Sequence, residues 1–143
     1  MTKRRRTARL RDERGASAVE FAFILPLLIV LVLGIAEFGH AFQVQGTLSA
    51  AAREGVRAMA LQNDPAAARG VARNAASSLN PGVTDTQIKI QLEGSAAQTC
   101  PTTAGATGSQ SVRLTITYPM PFLTHFFGSG LTLTGTGVMR CNG

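Results

Sequence analysis

The sequence predicts an α+β chain: a long N-terminal helix that spans a membrane and then extends outward, a second short helix, and a small antiparallel sheet of about three strands. Three observations predict it. An apolar run over residues 16–36 has no ionisable side chain between Glu20 and Glu37. Proline-free helical spacing continues beyond that run to about Leu61. From Gln87 onward the apolar period changes from that of a helix to the two-residue alternation of a strand.

The run of about 21 residues measures about 31 Å as a helix, enough to cross the hydrocarbon core of a bilayer. Its flanks give it a direction. Of the fourteen basic side chains, seven (Lys3, Arg4, Arg5, Arg6, Arg9, Arg11 and Arg14) precede it, against Asp12 and Glu13, whereas everything from Ala16 onward sums to about +1. The formal charge of +6 therefore belongs to a short tail, which reads as a positive-inside signal rather than as a nucleic-acid arm. The expected organisation is a basic cytoplasmic leader (1–15), a transmembrane helix (16–37) and an extracytoplasmic α+β domain (38–143). At 143 residues, with 6% aromatic side chains and no Trp, that domain has a small, light core.

Past the membrane run, Ala41, Val44, Leu48, Ala51, Gly55 and Ala58 recur at helical spacing and form a stripe of mostly small residues. Asn63-Asp64-Pro65 reads as a stop and a new start, with Asp64 as N-cap and Pro65 in the first helical position. The second helix is expected to run to about Leu79, burying Ala68, Val71, Ala72, Ala75 and Leu79, before Asn80-Pro81-Gly82 ends it.

In TQIKIQLE the residues Ile88, Ile90 and Leu92 face one way, and in SVRLTITY the residues Val112, Leu114, Ile116 and Tyr118 do the same. A third strand, LTLTGTGVMR, places Leu131, Leu133 and Met139 on one face, while Gly135 and Gly137 leave room for something close, the helix being the candidate. A turn-rich loop of small polar residues joins the first two strands. The connection PMPFLTHFFGSG carries Phe122, Leu123, Phe126 and Phe127, which either cap the core or form an exposed contact patch, capping being the favoured reading.

Little in the chain proposes catalysis. Neither His40 nor His125 has a Cys, Asp or Glu at metal-ligand spacing, and P-loop, dinucleotide and G-x-S-x-G patterns are absent from the sequence. Carboxylates beyond the leader are sparse, so the reading is a non-enzyme without cofactor, metal or small-molecule substrate. Cys100 and Cys141 would lie outside the cytoplasm, where one intramolecular disulfide is possible; two free thiols are the alternative.

One feature of the apolar run needs a reason: Glu20, a carboxylate close to its start. A basic leader ending in Gly15, then Ala16 as a possible new N-terminus, Glu20 as its fifth residue and an unbroken apolar helix resemble the type IV pilin pattern. The segment RGASAVEFAFILPLLIVLVLGIAEFGHAF is similar to the TadE-like family of pilus-assembly proteins, AAREGVRAMA matches what usually follows in that family, and the closing strand also fits. The resemblance implies a type IV pilin-like fold and a pseudopilin or minor pilin of the tight-adherence (Tad, Flp-type) pilus system in the bacterial inner membrane. It implies cleavage between Gly15 and Ala16 by prepilin peptidase, with other pilins and the inner-membrane assembly platform as partners. Glu20 would then pair with the Ala16 ammonium, commonly that of a neighbouring subunit. Phe21 and Pro26 belong to the same motif; Pro26 removes a backbone donor and should kink or loosen the helix, and Gly34 and Gly39 permit close helix approach.

Two other readings stand beside this one. Gly34 and Ala36 are placed like the small residues of a signal-peptidase site, so Glu37 could begin a secreted protein. Alternatively the chain is an uncut single-pass anchor that displays an interaction or adhesion module.

Overall fold

The computed structural model describes residues 9–101 and 110–141. The first eight residues of the expected leader and residues 102–109 of the polar loop lie outside the described residues. The elements are helix α1 (Arg9–Gln62), helix α2 (Pro65–Ala75), strands β1 (Ile88–Leu92), β2 (Ser111–Pro121) and β3 (Gly130–Arg140), with short 3-10 turns at Asp85–Gln87 and His125–Phe127. This is the expected α+β architecture of a long helix, a second short helix and a three-stranded antiparallel sheet. The chain divides into two compact units between Phe38 and Gly39.

The first unit is helical from Arg9, and its backbone stays helical through Pro26. Its large apolar side chains are exposed, among them Phe21, Phe23, Leu27 and Ile35. It begins the one helix, among the described residues, that is long and apolar enough to cross a membrane, and none of the apolar window of that helix is buried. Glu37 is the buried charged residue among those described.

In the second unit the sheet has the order β1-β2-β3, both pairs antiparallel. Pairs Ile88↔Ile116, Ile90↔Leu114 and Leu92↔Val112 fall on the buried face, while Lys89, Gln91, Arg113 and a ladder of Thr115↔Thr136 and Thr117↔Thr134 occupy the other. Such a one-sided sheet needs a cover. It is provided by the α1 stripe of Val44, Leu48, Ala51, Val56 and Met59, with Ala68, Ala72 and Ala76 of α2. Alanines at these positions bring helix backbone close to the sheet, and Gly135 and Gly137 of β3 bring it closer still. A Cβ added at Gly137 would stand 2.5 Å from the Ala52 carbonyl oxygen, and one at Gly135 would meet the Leu48 carbonyl. The room expected beside those glycines is filled by α1.

Local chemistry sets the joints. Asn63 ends α1 in left-handed backbone (φ 52°), and Asp64 caps α2 by accepting a 2.8 Å bond from the Ala66 amide, with Pro65 next in line. Asn63 also grips the strand-connecting loop: its amide group donates to the Cys100 carbonyl (3.0 Å) and accepts from the Cys100 N–H (2.6 Å). Cys100 and Cys141 are joined by a disulfide.

Three expectations need correction. Helix α2 stops at Ala75, not near Leu79, because the Ala76 amide is shared between the Ala72 and Arg73 carbonyls and those of Ser77 and Leu79 turn to carbonyls three residues back; Ala76, four residues after Ala72, is buried in place of Ala75. Strand β2 extends through Pro119 and Pro121, which is tolerated because β1 reaches only to the partner of Ile116 and leaves that end of β2 with one open edge. Leu131 and Met139, expected on the covered face, are 48% and 38% exposed: α1 meets β3 at its central glycines, and the ends of this edge strand overhang.

Candidate functional site

The residues singled out for processing and assembly lie together near the start of the described part of α1. Gly15, Ala16, Glu20, Phe21 and Pro26 are all helical, and all are exposed. Ala16 and Glu20 are four residues apart, so they occupy one face of the helix a turn apart. Cutting the chain before Ala16 would create an ammonium at a helix N-terminus, where unsatisfied amides and the macrodipole already favour a carboxylate in the first turn. The geometry therefore allows the Glu20 carboxylate to serve an amine at Ala16, in its own chain or in a neighbour. A Cβ added at Gly15 meets nothing within 4 Å. The small residue there is not required by packing within the chain.

The remaining chemistry-bearing side chains are dispersed or structural. Among the described residues no group of three His, Cys, Asp or Glu gathers as a metal site. His40 is half-buried in the wall of a groove of about 320 Å³, shared with Val44, Tyr118, Met120, Phe122 and Leu123; His125 lies in the turn beyond it. Tyr118 is buried, donates from its hydroxyl to the Pro81 carbonyl at 2.8 Å, and has its pKa raised by that burial. Ion pairs Arg73–Asp85 and Arg113–Glu93 lie at the surface, both partners about half exposed. They carry little stability.

The Phe-rich connection corrects the capping expectation. Phe122 packs against the core, but Leu123, Phe126 and Phe127 are 60%, 65% and 44% exposed, and the last two rings meet edge to face with centroids 5.3 Å apart. Sequence alone offered both readings of this loop. Which side chains point inward depends on how far α1 reaches along the sheet, and no local pattern encodes that distance.

Residues 15–57 match the family model described as TadE-like protein, the family that the N-terminal segment resembles. The match begins at the glycine of the proposed junction and ends inside the helix stripe that covers the sheet. No curated protein and no solved structure matches the chain.

Proposed function

We propose, with the TadE-like match over residues 15–57 as the premise, that this chain is a single-pass inner-membrane pseudopilin or minor pilin of a Tad-type pilus system. The observation that carries the proposal is the coincidence of three things at one place. The family match starts at Gly15, the apolar run of residues 16–36 follows it directly, and a carboxylate stands at the fifth position after it. Prepilin peptidase removes the basic leader between Gly15 and Ala16. The apolar helix then holds the N-terminal side in the membrane, with the domain that begins near Gly39 on the extracytoplasmic side, as the basic leader dictates. Its partners are the peptidase, other pilins and the assembly platform. It acts as a building or priming part, not as an enzyme.

Glu20 gains a purpose in this scheme. Docking between subunits must bury the new Ala16 ammonium, and a carboxylate one turn away supplies its partner; removing one member leaves the other charge buried alone. The test is Glu20→Gln in the native strain, read by an immunoblot for processing beside a count of surface pili. The expected result is normal cleavage and a fall in pili. Normal processing with normal piliation would deprive Glu20 of the role.

A further inference from the structure

The exposed aromatic loop has a definite place in the second unit. Gly135 of β3 lies against Leu48 of α1 and Gly137 against Ala52, a two-residue step on a strand matched by four residues of helix. The strand and the helix therefore advance in the same direction. The residues preceding β3, which are the β2–β3 connection, accordingly sit beside the first turns of α1 in this unit, and the groove confirms it by joining His40 and Val44 to Phe122 and Leu123. Leu123, Phe126 and Phe127 are thus displayed at the end of the unit where the chain enters at Gly39, three residues after the apolar run of residues 16–36.

Charge is sparse in the segments that build the same end. Residues 38–52 contain no Asp, Glu, Lys or Arg, and neither do residues 114–139, which include most of β2, the aromatic connection and nearly all of β3. Arg53, Glu54, Arg57, Glu93, Arg113 and Arg140 stand beyond these stretches, toward the opposite end of helix and sheet, while Lys89 lies at mid-sheet and the Arg73–Asp85 pair beside the later half of β2. Phe42 is also exposed, by 77%. A connection free of formal charge and tipped with exposed Phe and Leu suits the boundary between headgroups and acyl chains, where apolar side chains enter and ionised ones are expensive.

We propose that the β2–β3 connection inserts Leu123, Phe126 and Phe127 into the phospholipid surface from which the apolar helix emerges, giving the domain a second, interfacial contact with the membrane. The proposal rests on the membrane-anchored reading above. Before assembly it would hold the domain against the bilayer; release into a filament would expose or re-cover the loop.

Because the chain has no Trp, single reporters can be placed cleanly. Full-length Phe126→Trp, Val30→Trp and Gln91→Trp variants are reconstituted in phosphatidylcholine–phosphatidylglycerol vesicles containing lipid brominated either near the headgroup or deep in the acyl chain. Gln91 is exposed on β1, at the charged end. The expected result is loss of Phe126→Trp emission mainly to shallow bromines, loss of Val30→Trp emission mainly to deep ones, and no loss for Gln91→Trp. Quenched Val30→Trp with unquenched Phe126→Trp overturns the interfacial contact while leaving the anchor intact. A blue-shifted Phe126→Trp that ignores bromine and responds to protein-to-lipid ratio overturns it in favour of a second copy of the chain. Unquenched Val30→Trp overturns the membrane reading itself, and the interfacial contact with it.

Discussion

Replacing Gly135 or Gly137 by Ala tests how α1 is fitted to the sheet. At Gly137 the new methyl would lie 2.5 Å from the Ala52 carbonyl oxygen and 2.8 Å from its carbon, and at Gly135 it would meet the Leu48 carbonyl. These are backbone atoms in mid-helix and cannot rotate away, so helix and strand must separate. Overpacking costs about 1–3 kcal/mol, and a clash with rigid backbone puts these sites at about 2–3, from which the preference of a strand for Ala over Gly returns about 0.5–1, leaving about 1–2.5 kcal/mol of destabilisation per site. Two comparators bracket the effect. At Gly55 the added methyl would meet a Leu114 methyl at 2.7 Å, which can move, and the Ala72 Cβ at 2.9 Å, which cannot rotate away; no mid-helix carbonyl stands as close as at Gly135 and Gly137, and Ala is the better helix former, so the loss there should be smaller but not zero. At Gly70, inside α2, nothing lies within 4 Å, and Ala should stabilise by about 0.5–1 kcal/mol. Urea unfolding of the detergent-solubilised full chain, followed by the fluorescence of its one tyrosine, the core residue Tyr118, gives the order directly. Gly135→Ala and Gly137→Ala as stable as the parent would refute the close contact of α1 with β3.

Two further outcomes follow from the same unit. Reducing the Cys100–Cys141 bond, whose partners are 41 residues apart, should lower stability by on the order of 4 kcal/mol in the chain-entropy account, read as a shift of the urea midpoint with dithiothreitol; an unchanged midpoint would show that the bond does not constrain the unfolded chain. Tyr118→Phe should cost about 0.5–1.5 kcal/mol at neutral pH, since one hydrogen bond to Pro81 is lost. The same variant should remove an alkaline weakening. The folded pKa is raised above 10.0, so below that value both states hold a neutral phenol, and above it the unfolded chain ionises first and stability falls as pH climbs toward the folded pKa. Urea midpoints by circular dichroism at neutral and at strongly alkaline pH should differ more for the parent than for Tyr118→Phe.

What could be read from the sequence was what local periodicity and local chemistry decide. The stripe from Val44 to Ala58 is buried as its spacing requires, Asp64-Pro65 opens α2, and alternation in IKIQL and SVRLTITY sets the covered face of the sheet. Gly135 and Gly137 announced a close neighbour, and it is α1. The failures share one cause: they depend on where distant segments end against each other. Leu131, Met139, Phe126 and Phe127 are apolar enough for a core, but α1 and α2 do not cover them. The Asn63 grip on Cys100 and the Tyr118 bond to Pro81 join residues 37 positions apart, and no local signal reports them. At the candidate site the spacing of Gly15, Ala16 and Glu20 was fully legible, because all three sit on one stretch of helix.

The central claim is that this helix is exposed for cutting and then for assembly, and N-terminal sequencing of the protein purified from membranes of the native strain tests it most directly. A chain beginning at Ala16 is the predicted result. In Gly15→Leu, where added bulk meets open space and the fold has no reason to fail, the leader should remain. A start at Glu37 would instead mark a secreted protein cut by signal peptidase, and a start at Met1 or Thr2 an uncut anchor. Either would contradict the account.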